Sequence, residues 1–367
     1  MAGKRHHFIP QFLQRGFASP SDLHNAWVFP KTRHPFNTNI KNIALEGQFY
    51  SNEGDTSVDD KITDEEGALA SFLKELLDME DMADVDPPKA GHLINHSLIR
   101  TRHFRQNYQQ TSEEIITKLY IALSNPETLI AVMENHIQKE ENIAKPVREA
   151  LVSALGGVLP ANKIDEAMKA LLPEFIRVAK IELPIQIRRT AKEQANSLKI
   201  EGQAFLESPL FKAAMKKGHL KALAQLSTPT PRQLEFSKLK FNIRKFPNGN
   251  IILGDSVAVY AVSSERKIAP INDSTTPMTG VLLPLDPDTC LIGTLDEPCD
   301  CFSTSARIRE SIAACSLEFF IAHKDSSENR QLTAKIGMNS HLLSQNDIDE
   351  ILRDSLISEI LPGSSAN

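Results

Sequence analysis

Imidazoles and carboxylates at three places in the sequence could together support metal-dependent chemistry. His6 and His7 are adjacent near the start, Asp59 and Glu66 are seven residues apart, and Asp255 directly follows an apolar run. Histidine nitrogen and carboxylate oxygen are ligands for divalent ions, and a bound cation can activate water for phosphodiester cleavage. These residue types indicate a metal-dependent hydrolase, provided that the fold brings them together.

Each group has an element that would position it. The opening imidazoles precede an apolar set that predicts a buried anchor: Phe8, Ile9, Phe12, Leu13 and Phe17. Helical spacing begins at Ser57, and a separation of seven residues places Asp59 and Glu66 on one face of that helix. Asp255 is expected at a strand end, where the preceding Gly254 leaves room for a ligand or another backbone.

The remaining periodicity predicts an α+β fold. A short β lead-in is followed by a large helical middle and by a C-terminal, mainly antiparallel sheet with a packing helix. Lys240 to Phe246 and Ile251 to Leu253 flank an Asn-Gly turn and predict a hairpin. We expect residues 1–110 to hold the lead-in and two helices, 111–228 the helical region, 229–361 the β-rich region, and 362–367 a disordered tail.

Composition limits the class of protein. The chain has 367 residues, a formal net charge of -6, 41% hydrophobic and 24% charged residues, which is typical of an ordinary globular protein. The negative charge argues against coating nucleic acid by bulk electrostatics, although a local basic patch stays open. We expect no membrane association and a cytoplasmic location, because neither a signal sequence nor an apolar run of spanning length is present.

Two further groups of metal-ligand residues give weaker signals. The four cysteines are separated by eight, one and thirteen residues, unlike the close pairs of structural zinc sites, so we expect reduced, mostly structural thiols. A helix predicted over Lys89 to Gln110 places His92, His96 and His103 on one face. Its His-x-x-x-His pair could hold a metal but lacks the glutamate of the zincin signature, and surface or core histidines are the alternative.

The opening pattern His7-Phe8-Ile9-Pro10-Gln11-Phe12 with Phe17 resembles a bacterial family, domain of unknown function 4238. Further stretches follow in the order of that family: Trp27 to Lys31, Asn42 to Ala44, Val58-Asp59, Glu66-Gly67, Arg100-Thr101 with Arg105, Ile252 to Ser256, and Pro284 to Pro287. The sequence departs from the family pattern at Gly254 and at Ser256-Val257. The family is uncharacterised, so the resemblance implies architecture and candidate residues without an activity.

The landmark positions of this resemblance imply the site residues. Catalytic candidates are His7, Glu66 and Asp255, and the metal ligands would be His7, Asp59 and Asp255, with Mg²⁺ or Mn²⁺ as the cofactor. Candidates for substrate binding are Gln11, Arg100 and Arg105. The structural alternative is a buried network in which His7, Glu66 and Arg100 tie the opening segment to the first two helices, with His7 buried and bonded to one of those helices.

Three functional classes therefore stay open. The first is a metal-dependent hydrolase or nuclease in a bacterial defence or toxin setting, acting on nucleic acid or a nucleotide. The second is a non-catalytic sensor whose cleft between Arg100 and Asp255 recognises a nucleotide, a phage component or a protein partner. The third is a structural interaction protein, with a protein partner or a second copy of the chain bound. A polar pocket near His7 would argue against the third class.

Overall fold

The computed structural model describes residues 5–47, 57–155, 158–224, 235–263, 267–271, 277–295 and 299–340. Side chains are not described at 5, 57–61, 161 and 219–224, and the predicted tail at 362–367 lies outside the described residues. The fold is α+β, as predicted, with antiparallel pairing throughout the described sheets. In this part of the chain, no helix combines the length and the apolar content needed to cross a bilayer.

By contacts the chain divides into two units, 1–110 with 214–344 and 111–213 with 345–367. The first unit opens with a short two-stranded sheet, in which β1 (Arg5–His7) pairs with β4 (Leu45–Gly47). Helix α1 (Gln11–Gly16) follows β1 directly. Its residues Phe12 and Leu13 are buried with Phe8, Ile9 and Phe17, which confirms the predicted anchor.

A four-stranded antiparallel sheet in this unit joins the two ends of the sequence. Its order is β3-β2-β12-β7, formed by Phe36–Asn39, Asn25–Pro30, Phe319–Ala322 and Leu253–Gly254. Stacking of Phe29 on Phe320, with ring centroids 5.0 Å apart, adds a side-chain contact between the two central strands. The early strands and the late strands therefore share one hydrogen-bonded layer.

The second large sheet has six strands in the order β5-β6-β11-β10-β8-β9. They are Asp84–Val85, Lys240–Lys245, Thr289–Thr294, Met278–Asp286, Val259–Val262 and Ile268–Ala269. Successive side chains of a strand point to opposite faces. Accordingly Leu283 lies in one apolar cluster and its neighbour Leu282 in another, so both faces of this sheet are buried.

Helices α2 (Ser57–Asp78) and α3 (Pro87–Ile99) supply apolar side chains to the cluster that contains Leu283. Asp86 caps α3 by accepting a hydrogen bond from the Lys89 backbone N–H, and the two prolines that follow suit the first turn of a helix. Late in the unit, α9 (Ser305–Cys315) and α10 (Ser327–Leu332) contribute Ile308, Ile312 and Leu332 to the apolar cluster that also contains Phe320 of β12.

The second unit is helical in its described residues. Helix α4 (Arg102–Leu123) enters it, and α5 (Pro126–Gln138) and α6 (Glu140–Leu155) pack on the long helix α7 (Ala161–Glu207). Helix α8 (Pro209–Ala224) follows α7. Buried positions of α7 recur at spacings of four residues, at Ile187, Ala191 and Ala195, as the helical period requires.

Three local predictions are wrong. The predicted hairpin does not form, because Lys240–Lys245 pairs with β5 and β11 whereas Leu253–Gly254 pairs with β12 in the other sheet. The helix predicted from Lys89 to Gln110 is broken between Ile99 and Arg102. Cys299 and Cys301 form a disulfide, whereas Cys290 and Cys315 are the buried thiols that we expected.

The hairpin prediction failed for a tertiary reason. Asn248 and Asn250 do adopt positive φ angles of 58° and 53°, so the chain turns where the sequence predicted. Ile251 and Ile252 are then completely buried in the cluster that contains Leu282. Burying two isoleucine side chains is worth several kcal/mol, and that gain directs the segment away from β6.

Candidate functional site

His7 is held by two ring hydrogen bonds at the end of β1. Its Nδ1 lies 2.9 Å from the carbonyl oxygen of Ile43 and must donate to it, so Nε2 accepts from the Gln11 amide at 2.6 Å. His7 is half-buried, whereas His6 beside it is buried. The predicted bond to the first two long helices is made through the His7 carbonyl oxygen, which accepts from Arg100, although the ring is half-buried rather than largely buried.

Arg100 ties the opening segment to α2 and α3. It follows the last residue of α3, is 2% exposed, and forms an ion pair with Glu66. Its second nitrogen donates to the His7 carbonyl oxygen at 3.1 Å. The predicted pairing of Arg100 with Glu66 is present, and the network contains the three residues that the structural alternative named.

The start of α4 carries a second set of ion pairs. Arg105 donates to Glu46 at 2.5 Å, and Arg102 binds Glu46 at 3.0 Å and Glu318 at 2.9 Å. The Arg102 guanidinium also lies 4.8 Å from the centre of the Phe8 ring, within range of a cation–π contact. Arg105, a predicted substrate-binding residue, is thus bonded within the protein. Local spacing could not identify Arg102, since its partners Glu46 and Glu318 are distant in the chain.

Asp255 directly follows β7, as predicted, but its carboxylate accepts three backbone N–H groups. Those of Leu317 and Glu318 lie at 2.7 Å and that of Phe319 at 3.1 Å, so Asp255 fixes the turn between α9 and β12. Burial raises the pKa of Asp255 to about 6, against the lowering effect of the three N–H donors. Gly254 leaves room for a neighbouring side chain, since a Cβ there would lie 2.5 Å from the Ser316 hydroxyl.

The predicted metal ligands do not form a finished site in the described residues. Asp59 lies on α2, but its side chain is outside the described residues. The ring nitrogens of His7 and the carboxylate of Asp255 are engaged in the bonds given above. Among all described side chains, no three His, Cys, Asp or Glu residues are arranged as a ready-made coordination shell.

A cavity of about 470 Å³ lies beside the β2–β3 hairpin, and we call it the hairpin cavity. It is lined by Val28, Pro30, Lys31, Thr32, Arg33, Phe36, Thr38, Asn42, Ile43, Leu317, Glu318 and Phe319. His7 holds Ile43, one part of the wall, and Asp255 holds residues 317–319, another part. Two predicted catalytic residues from opposite ends of the chain therefore both support this cavity from behind its surface.

A second polar cluster lies between α2 and α3. The Glu65 carboxylate oxygen Oε2 is 3.8 Å from Nε2 of His92 and 3.8 Å from Nε2 of His96. His96 is completely buried, and burial, with the positive charge of Arg100, lowers its pKa to about 2. His103, predicted on the same face, is turned away by the break before α4 and contacts the Ser340 carbonyl oxygen.

Residues 5–120 match the model of a family described as a protein of unknown function (DUF4238). The resemblance that the opening residues suggested is thereby confirmed for this part of the chain. The matched range includes His7, Glu66, Arg100 and Arg105 but ends before Asp255. No curated protein and no solved structure matches the chain. The family brings no activity with it, so a function has to be argued from the geometry.

Proposed function

Starting from this match to an uncharacterised family over residues 5–120, we propose that the protein is a binding module for a small phosphorylated ligand of the nucleotide class. The ligand would occupy the hairpin cavity. One observation carries the proposal: His7 and Asp255 each fix a different part of the wall of one cavity that also displays two cationic side chains. This is the second of the three classes left open by the sequence.

The size and rigidity of the hairpin cavity suit such a ligand. Its volume of about 470 Å³ lies within the range of ordinary small-molecule sites. Walls that are already hydrogen-bonded need little ordering when a ligand binds, which preserves affinity. Arg100 contributes indirectly, since it holds the His7 carbonyl, and His7 in turn holds Ile43.

The chemistry of the lining favours an anion. Lys31 and Arg33 are exposed and line the cavity, and ammonium and guanidinium groups are the usual partners of phosphate oxygens. Glu318 is the acidic residue of the lining, and Arg102 binds its carboxylate. The half-buried rings of Phe36 and Phe319 offer apolar surface on which a nucleobase can pack.

The hydrolase stays a prediction, and the geometry gives it less support than binding. To ligate a metal, the His7 ring would have to give up its bond to Ile43 or to Gln11. The Asp255 carboxylate would likewise have to leave buried N–H groups, and each such unpaired group costs on the order of 1–3 kcal/mol. A ligand that binds in front of these residues requires neither loss.

The test is a binding screen on the full chain with nucleoside mono-, di- and triphosphates and with the unphosphorylated nucleosides as a comparison. We expect at least one phosphorylated compound to bind in calorimetry and to raise the thermal midpoint, with its nucleoside at least tenfold weaker. The double variant Lys31→Ala/Arg33→Ala should then lose binding by at least tenfold, because two phosphate contacts are removed.

A matched control removes the same charge elsewhere. Lys41→Ala/Lys324→Ala replaces two exposed lysines that do not line the hairpin cavity, and it should bind as the wild type does. If none of the phosphorylated probes binds at millimolar concentration, or if both double variants lose affinity equally, the proposed function is wrong. Equal losses would mean that net charge, rather than the cavity, drives the interaction.

A further inference from the structure

The cluster between α2 and α3 contains buried polar atoms without hydrogen-bond partners. Both ring nitrogens of His96 and the Oε2 atom of Glu65 are shielded from solvent and make no hydrogen bond with any residue that the structure describes. Buried polar atoms are almost always satisfied in folded proteins, so such a concentration in one place calls for an explanation. Of these atoms, Nε2 of His96 on α3 and Oε2 of Glu65 on α2 face one another at 3.8 Å.

We propose that Glu65, His92 and His96 form a binding site for a divalent transition-metal ion of the zinc class. His92 and His96 are one helical turn apart on α3, and Glu65 comes from α2. Two imidazoles and a carboxylate are a common set of three protein ligands for zinc, in which the fourth position is left to water or substrate. Glu65 would be the third protein ligand, a different role from that of the zincin-motif glutamate, which is the general base.

The distances are close to those of a metal site but require a small adjustment. Donor atoms bound to a tetrahedral zinc ion at about 2.0–2.1 Å are roughly 3.3 Å from one another. The two distances from Glu65 Oε2 to the histidine Nε2 atoms are 3.8 Å. As the described side chains stand, no three of them are placed to hold an ion, so the proposal requires the Glu65 side chain, which is 22% exposed, to change rotamer when the metal binds.

Arg100 and Glu65 would have opposite electrostatic effects on a cation bound in this cluster. Arg100 lies close enough to disfavour a positive charge on His96, and this repulsion also acts on a cation. Its guanidinium is paired with Glu66, and the Glu65 carboxylate faces the site directly.

A cavity beside the cluster supplies access. It has a volume of about 320 Å³ and is lined by Glu65, Ala68, Leu69, Ser71, Phe72, Glu75, Lys89 and His92. Because Glu65 and His92 reach it while His96 is completely buried, the open coordination position would face this space. The site is independent of the hairpin cavity, since the two linings have no residue in common.

The test uses the full chain after treatment with a chelator and dialysis, titrated with ZnCl₂ in a calorimeter. We expect one ion per chain, and with CoCl₂ the visible absorption bands of four-coordinate cobalt. Glu65→Gln keeps the shape of the side chain and removes the charge, and His92→Ala changes a residue that is only partly buried, so both variants should fold. Each should weaken zinc binding at least tenfold.

Two variants serve as matched controls. Glu75→Gln removes a carboxylate from the same cavity, and His24→Ala removes an exposed imidazole elsewhere in the chain. Both should bind zinc as the wild type does. A titration without stoichiometric binding overturns the proposal, and so does a zinc affinity that is unchanged in Glu65→Gln and His92→Ala. Neither result bears on the nucleotide screen, so the two proposals fail separately.

Discussion

Ion pairs between arginine and glutamate occur in both units of the molecule, but in very different surroundings. In the unit of residues 1–110 and 214–344, the Arg100 side chain is 3% exposed where it meets Glu66. In the unit of residues 111–213, Arg177 and Glu174 are paired while 64% and 63% exposed. The chemical groups are the same, and only their access to water differs.

The difference in exposure to water determines how much each pair contributes to stability. An exposed pair gives up little when it separates, because water solvates both groups and salt screens them. Water replaces a buried partner less well: the Glu66 side chain is 31% exposed, so it is only partly solvated once Arg100 is removed. The buried polar groups of the first unit therefore determine how its segments are arranged, whereas the exposed pairs of the second unit contribute mainly to a hydrated helix surface.

The largest effect is expected for Arg100→Met, which keeps the length of the side chain and removes the charge. Glu66 then loses its partner and the His7 carbonyl loses a donor, so the free energy of unfolding should fall by about 3 kcal/mol. Urea denaturation followed by circular dichroism measures this value. A loss below about 0.5 kcal/mol would mean that burial does not separate the two kinds of ion pair.

A smaller loss, about 2 kcal/mol, is expected for Asp255→Asn. The amide nitrogen of asparagine is a donor and would face one of the three backbone N–H groups that the carboxylate now accepts. The comparison is with Asp288→Asn, where the side chain faces solvent and accepts from Gly249. Equal stability of the wild type and Asp255→Asn would exclude a structural role for this carboxylate.

The pH dependence of stability also tests the role of the buried Asp255 carboxylate. The folded-state pKa of Asp255 is raised from 3.8 to about 6, so its contribution to stability is complete below the unfolded value and is lost as the pH rises through about 6. Between pH 5 and pH 7 this loss is about 1 kcal/mol. The contribution of His96 has the opposite sign, since its lowered pKa makes stability rise with pH through 6.5.

The contribution of Asp255 to the pH dependence of stability is obtained by subtraction. The free energy of unfolding is measured at both pH values for the wild type and for Asp255→Asn, and the difference between the two slopes reports this residue alone. We expect the loss of stability that Asp255 contributes between pH 5 and pH 7 to be absent from the variant. A variant slope equal to that of the wild type would show that the three N–H donors offset the burial of the charge.

The smallest effect belongs to Arg177→Met in the second unit, for which we expect no measurable change in the unfolding midpoint. Water solvates both groups when the pair is lost. Glu174, three residues before Arg177, stays on the helix surface in the variant. The measurement is the same urea titration as for Arg100→Met. A loss comparable to that of Arg100→Met would remove the distinction between the units.

Local sequence predicted most elements of the fold because their periods are short-range. The buried opening anchor, the helix that begins at Ser57 and a helix packing on the C-terminal sheet were predicted from apolar spacing, and the structure contains each of them. The hairpin prediction failed because turn geometry does not specify which strand the returning segment pairs with. Burial of Ile251 and Ile252 in another layer made that choice.

The candidate sites show the same division. Residue types and the landmark positions of the family resemblance together pointed to His7, Glu66, Arg100 and Asp255, and the pairing of Arg100 with Glu66 was predicted correctly. The cations of the hairpin cavity, Lys31 and Arg33, carried no signal, because exposed basic residues occur in many loops. The meeting of Glu65 with His92 and His96 was equally hidden, since sequence spacing relates residues within one helix only.

The sequence by itself determined which segments are helical, which are extended and which must be buried, since those properties depend on neighbours within a few residues. Tertiary structure decided what each polar side chain does. The Asp255 carboxylate hydrogen-bonds the backbone of residues 317–319, and the first of these bonds, to Leu317, spans 62 positions of the chain. The His7 ring hydrogen-bonds the carbonyl of Ile43, 36 positions away. Such contacts depend on strand order and helix packing, which local spacing does not encode.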